Sequence, residues 1–230
     1  MPPIEWCDRT INPVSGCRRG CEFCYARKMA FRLAEMEKAR PGSTGYPTDG
    51  DHFKPTFHPE KLDQIYALKG RGKRIFLGSM GDFFSEGVDP EWFDATVGAV
   101  RHKPEHMFII LTKWTERFDL YDLSGLPANL WIGVSVTCQA DAHRVEDLKL
   151  ALPSQPKLVS FEPLLGSVDV DLTEIGWVII GAETGRRAGK IEPLPKWVDG
   201  IRIGFQGPVF LKNNLQPFYA EKCRQFPEAV

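Results

Sequence analysis

Six short runs constrain this chain most: Arg74 to Ser79 (RIFLGS), Met107 to Thr112 (MFIILT), Leu130 to Val136 (LWIGVSV), Lys157 to Glu162 (KLVSFE), Trp177 to Glu183 (WVIIGAE) and Pro208 to Asn213 (PVFLKN). Each is rich in β-branched, aromatic or aliphatic residues and nearly continuous in apolar character. Such runs suit parallel strands covered on both faces, not half-exposed strands with alternating polarity. Helical periodicity fills most of the gaps. From Tyr25 to Arg40, Ala26, Met29, Ala30, Leu33 and Met36 share one face, and Arg40-Pro41-Gly42 stops the helix. Pro59 to Lys69, Pro90 to Arg101 and Asp141 to Leu152 read the same way, whereas no clear helix lies between Phe161 and Trp177. A first short strand is expected around Ile4 to Trp6.

Repeated strand–helix units build either a doubly wound sheet or a barrel. The residues just past each strand favour the barrel. Gly78-Ser79-Met80-Gly81-Asp82, Thr112-Lys113, Ser135-Val136-Thr137, Glu162, Glu183 and Lys212-Asn213-Asn214 put polar or glycine residues at the carboxyl ends of the strands. Barrel enzymes carry their chemistry there.

The chain has 230 residues, 43% hydrophobic and 26% charged, with a formal net charge of -1. That length suits one domain over residues 1–230, with its last strand and tail at 208–230. Near-neutral charge excludes a global basic field for nucleic acid or an anionic membrane. No apolar run is long enough to span a bilayer, and the polar start MPPIEWCDRT lacks the apolar centre of a secretion signal. The expectation is therefore a cytoplasmic protein with no membrane partner, in a compartment where close-spaced cysteines serve as metal ligands or catalytic groups more often than as disulfides.

Three of the six cysteines fall within eight positions, SGCRRGCEFCYA, as Cys17-x₃-Cys21-x₂-Cys24. Thiolates are ligands of zinc and of iron–sulfur clusters. A structural zinc needs four ligands, so Cys7, His52 or His58 would have to complete it. Three thiols on one short loop, residues 16–25, also fit one side of a four-iron cluster, leaving one iron without a protein ligand. A disulfide or inert thiols remain a third reading. Cys7, Cys138 and Cys223 stand alone in sequence and read as small buried residues.

With Phe23 just before the third cysteine, CRRGCEFCYA resembles the radical S-adenosylmethionine enzymes. IEWCDRTINPVSGC, RIFLGSMGDFFSEGVDPEWF, FIILTKWTERF, LWIGVSVTCQADAHRVEDL, LVSFEPLLG and WVIIGAETG extend the similarity to an uncharacterised branch found in bacteria and phages. The branch typically has a longer insert between the first two cysteines, and this chain departs from it there. The resemblance implies an α/β fold with a partial (β/α)₆-type barrel, its first loop carrying a [4Fe-4S] cluster on Cys17, Cys21 and Cys24. S-adenosylmethionine would bind the open iron, and its reductive cleavage would give a 5′-deoxyadenosyl radical that abstracts hydrogen from a substrate. An electron donor such as flavodoxin or ferredoxin is implied as partner. Among cofactor contacts, the backbone of Phe23 is expected near adenine, Gly78, Ser79 and Asp82 near the methionine ammonium, Ser135 near the ribose hydroxyls, and Arg144 near the methionine carboxylate. The competing reading of Arg144 is a surface arginine beside Glu146 and Asp147. Spore photoproduct lyase-like DNA repair is a further reading.

Lys113, Glu162, Glu183 and Lys212 follow strands expected to be buried, so each should be paired or should anchor substrate or cofactor. A Glu162–Lys212 pair is the structural alternative. Asn213 and Asn214 add amides able to read a polar substrate, for which a nucleotide or nucleic acid is an open class. Arg18, Arg19, Arg27 and Lys28 border the cysteine loop and could attract an anionic substrate or an acidic donor. Lys69 to Arg74 precedes a strand and reads as a solvated loop at the opposite end. His58 reads as a helix cap, and Phe83, Phe84 and Trp92 as packing residues. The competing overall reading is a non-enzymatic metal-binding or redox-sensing module with zinc or a structural cluster at the three cysteines.

Overall fold

The computed structural model describes residues 4–228. Its centre is a parallel sheet of seven strands: β1 (Arg9–Ile11), β4 (Arg74–Leu77), β5 (Met107–Thr112), β6 (Leu130–Ser135), β7 (Lys157–Phe161), β8 (Trp177–Ile180) and β9 (Val209–Leu211), in that spatial order. Neighbours in sequence are neighbours in space, and the sheet curls into a half-barrel. A separate antiparallel pair, β2 (Val14–Ser15) with β3 (Thr56–Phe57), branches off after β1. The helices are α1 (Tyr25–Ala39), α2 (Leu62–Tyr66), α3 (Pro90–Arg101), α4 (His143–Ala151) and α5 (Pro195–Ile203).

Two-sided burial explains why the strand sequences do not alternate. Ile75, Leu77, Phe108, Ile110, Val134 and Val159 pack toward the helices. Phe76, Ile109, Trp131, Leu158, Trp177, Ile179 and Phe210 form a second apolar cluster on the concave face, joined by Trp6. Along that face the register places Leu111 beside Gly133 and Ser135 beside Ser160, so the lining turns from aromatic to hydroxyl toward the strand ends.

The α/β class and the six apolar strands are present as read from sequence, several ending one to three residues earlier. The first strand is not at Ile4 to Trp6. It lies at Arg9–Ile11, registered Arg9 with Ile75 and Ile11 with Leu77, while Trp6 is buried in the concave floor against Phe76, with ring centroids 4.7 Å apart. The Asp8 carboxylate accepts from the Arg74 N–H at 2.7 Å and sets this register. Helix α1 buries Ala26, Ala30 and Ala34, but Met36 is 55% exposed, because the helix packs on its small residues against Tyr46, Phe53 and Met80. The Pro59 to Lys69 segment is a 3₁₀ turn followed by the short α2, and Asp141 to Leu152 begins in a 3₁₀ turn before α4. Residues 162–176 carry no helix. No helix of the described residues is long and apolar enough to cross a membrane.

Candidate functional site

Residues at the carboxyl ends of these strands line a cavity of about 210 Å³. The cysteine loop forms one wall. Its root is pinned on both sides: Gly16 N–H donates to the Met80 carbonyl at 2.9 Å, Asp82 N–H to the Gly16 carbonyl at 3.3 Å, and Cys17 N–H to the Phe53 carbonyl at 3.1 Å. Gly16 has φ +88, and a Cβ there would stand 2.2 Å from the Lys54 carbonyl oxygen, so only glycine fits. The far end of the loop runs into α1. Cys24 is the N-cap, its sulfur accepting from Arg27 N–H at 3.4 Å, where the helix dipole favours negative charge. The Tyr25 hydroxyl donates to the Ser79 carbonyl at 2.5 Å and ties α1 to the segment after β4.

Cys17, Cys21 and Cys24 all line the cavity and all are free thiols. Burial pushes the Cys17 and Cys21 thiols up. Cys7 is not among the lining residues, and burial raises its thiol to about 11. No group of three His, Cys, Asp or Glu side chains that could hold one metal ion occurs among the described residues. The donor set suits a larger polynuclear group: three soft sulfurs on one wall, backbone and indole N–H donors on the sulfurs, and a helix N-terminus behind. His58 is buried and shares a hydrogen bond with the Ser15 hydroxyl at 2.7 Å; it precedes a 3₁₀ turn but makes no side-chain cap.

Phe23, Gly78, Ser79, Asp82, Lys113, Ser135, Glu162, Glu183 and Lys212, all expected at the site, share the same cavity lining. Asp82 is buried, which pushes its carboxyl up, although it accepts from Thr112 Oγ1 at 2.7 Å, Lys113 N–H at 2.9 Å and Phe84 N–H at 3.0 Å. The Lys113 ammonium lies 5.9 Å from the Phe23 ring centroid. Lys212 pairs with Glu162 across Gly181, whose missing Cβ makes room: one built there would come within 2.9 Å of the Lys212 stem.

Two expected residues sit elsewhere. Arg144 is neither a cavity residue nor a surface one. It is buried behind β6, donating from Nη1 to the Ser135 carbonyl at 2.8 Å and pairing through Nη2 with Asp141 at 2.6 Å three residues back, so both terminal nitrogens are committed. Asn213 faces outward. Its N–H donates to Glu5 at 3.1 Å and its side-chain oxygen accepts from Arg224 at 2.7 Å, because the segments around Glu5 and Arg224 meet there. Asn214 brackets the Ala182 backbone. Around the loop, Arg18 and Arg27 both face Asp51, and Arg19 pairs with Glu116, so only part of the basic rim is uncompensated.

Sequence reasoning missed Ser160, Trp114 and Arg187. Ser160 was legible as a polar residue inside an apolar run; Trp114 and Arg187 had no such signal. Arg187 clasps the 2% exposed Glu183 through Nε at 2.8 Å and Nη2 at 2.9 Å, and reaches Glu22 of the cysteine loop at 3.3 Å. Its hydrogen bonds hold the Glu183 carboxyl below the ordinary range. Arg187→Ala should destabilise the fold at neutral pH by leaving a buried carboxylate unpaired. In the wild type the folded-state pKa lies below the unfolded one, so the contribution is lost as pH falls. In the variant an unpaired buried carboxyl titrates above its unfolded value, and the penalty grows as pH rises. Denaturant titrations should therefore show the gap narrowing from about pH 7 to about pH 4; a constant gap would contradict the pairing.

A family model described as a protein of unknown function (DUF5131) matches residues 2–207. No curated protein and no solved structure matches the chain.

Proposed function

This chain belongs to that family, DUF5131, whose description assigns no activity, and from its own site we propose that it is a radical S-adenosylmethionine enzyme. The observation that carries the reading is the shared cavity: Cys17, Cys21 and Cys24 open onto the same space as the polar ends of six parallel strands. When bound, a [4Fe-4S] cluster and S-adenosylmethionine supply reductive cleavage of a sulfur–carbon bond and a 5′-deoxyadenosyl radical able to abstract hydrogen from a substrate.

The remaining work falls to the chain. Cys17, Cys21 and Cys24 hold the cluster, and Phe23, Phe53 and Met80 restrict water around it. Gly78, Ser79 and Ser135 line the space a cofactor would take, the Gly78 carbonyl being held by the Gly81 N–H and the Ser79 carbonyl by the Tyr25 hydroxyl. Lys113 supplies the cation for a carboxylate there, since Arg144 is already paired. Asp82 holds the β4 and β5 ends together and so fixes both Lys113 and the segment after Gly78. Ser160 and the Glu162–Lys212 pair, at the β7 to β9 end, are left to meet an unidentified substrate, with a nucleotide or nucleic acid as one class, while Glu183 is held by Arg187. An acidic flavodoxin- or ferredoxin-like donor suits the rim, where Lys28 is exposed. The zinc alternative needs a fourth ligand, and Cys7 lies outside the cavity.

Protein reconstituted without oxygen, reduced with dithionite and given S-adenosylmethionine should form 5′-deoxyadenosine and methionine. A loaded, reducible cluster that leaves S-adenosylmethionine intact would overturn the enzymatic reading.

A further inference from the structure

The indole of Trp114 donates its Nε1–H to the Cys17 sulfur at 3.4 Å, across 97 residues of sequence. The backbone N–H of Arg19 reaches the same sulfur at 3.4 Å. Three ties, two of them through Asp82, hold Trp114 in place. The Trp114 backbone N–H donates to Thr112 Oγ1 at 2.9 Å, and the Thr112 hydroxyl passes the constraint to the buried Asp82 at 2.7 Å. Asp82 also takes the Lys113 N–H at 2.9 Å, fixing the peptide just before Trp114. On the ring face, the Arg19 guanidinium stands 5.0 Å from the centroid and is itself held by Glu116. A half-buried tryptophan this constrained, with its one polar hydrogen spent on a sulfur, is a preorganised donor.

We propose that Trp114 is a positioning residue that raises the reduction potential of a cluster bound at Cys17, with Thr112 and Asp82 keeping its N–H on the sulfur. The inference rests on the cluster reading above. Hydrogen bonds to cluster sulfurs strengthen when an added electron makes the sulfurs more negative, so the donor stabilises the reduced state. An external low-potential donor supplies the one electron, no covalent bond is made or broken, and Trp114 keeps its proton.

The test compares anaerobically reconstituted wild type, Trp114→Phe and Thr112→Val by iron and sulfide content and by redox titration followed by electron paramagnetic resonance. Trp114→Phe keeps an aromatic ring and removes the N–H. It should load like wild type, with its reduced-to-oxidised ratio at a fixed potential about tenfold lower, a shift of about 59 mV to more negative potential for a one-electron couple. Thr112→Val, which loosens the indole without removing it, should shift the same way by less. A fully loaded Trp114→Phe protein with unchanged potential overturns the proposal. So does a folded Trp114→Phe protein that fails to load, when Thr112→Val loads at wild-type potential. Wild type that takes up no iron overturns the cluster reading itself, before any variant is compared.

Discussion

Alanine at Cys17, Cys21 or Cys24 should each abolish the brown iron–sulfur absorption, whereas alanine at Cys138 or Cys223 should leave it intact. The separation follows from position. The first three thiols share one cavity wall, on a loop whose root is bonded to the segment after β4 and whose end caps α1. Cys223 instead donates to the Val209 carbonyl at 3.3 Å in the C-terminal tail. Cys138 begins the 3₁₀ turn ahead of α4 and does not line the cavity. A cluster held, as proposed, by these three thiols alone would be left with too few ligands on losing any one, so the effect should be near total. The brown absorption and the iron content per chain read it directly. Loss of iron in Cys223→Ala with retained folding would move the ligand set elsewhere.

Gly16→Ala should be strongly destabilising, the tightest of the glycine positions for an added Cβ. The backbone there is left-handed at φ +88, and the new Cβ would meet the Lys54 carbonyl oxygen at 2.2 Å and the Phe53 carbonyl oxygen at 2.7 Å. All are backbone atoms, so no side-chain rotation relieves the clash. Strain at positive φ and overpacking together should cost about 3 to 5 kcal/mol. Gly16 immediately precedes Cys17, so the variant should also lose iron in proportion to the displacement of the loop. Gly20, in the same loop with φ +73 but open space around its Cβ position, is the control: Gly20→Ala should cost only the conformational strain, about 1 kcal/mol. Chemical denaturation of both variants checks the ranking; equal losses would mean that the 53–54 segment does not constrain the loop.

The sheet was legible because burial on both faces writes itself as unbroken apolar sequence, as in Met107–Thr112, whose bounds match those read from composition alone. Edge strand β1 was not, because it carries a single fully buried apolar residue, Ile11, while the more apolar Ile4 and Trp6 serve the concave floor. Helix α5 was passed over, nine residues long with Gly200 inside it. In the site, strand-end position sufficed to bring Lys113, Glu162, Glu183 and Lys212 to one cavity. It could not assign their partners. Arg144 and Asp141 are three residues apart, yet only the 3₁₀ turn at the start of α4 aims the guanidinium inward at Ser135. Asn213 was misplaced because its partner, Glu5, is 208 residues away. The Trp114 contact with Cys17 likewise depends on how β5 and the β2–α1 connection meet in space, and no local pattern encodes that meeting.

The proposed site is a four-iron cluster on the three cysteines with one iron open to a small molecule. Quantifying iron, acid-labile sulfide and zinc in protein purified without oxygen tests it most directly. About four irons and about four sulfides per chain, with negligible zinc, are expected. About one zinc per chain, with neither iron nor sulfide, would contradict it.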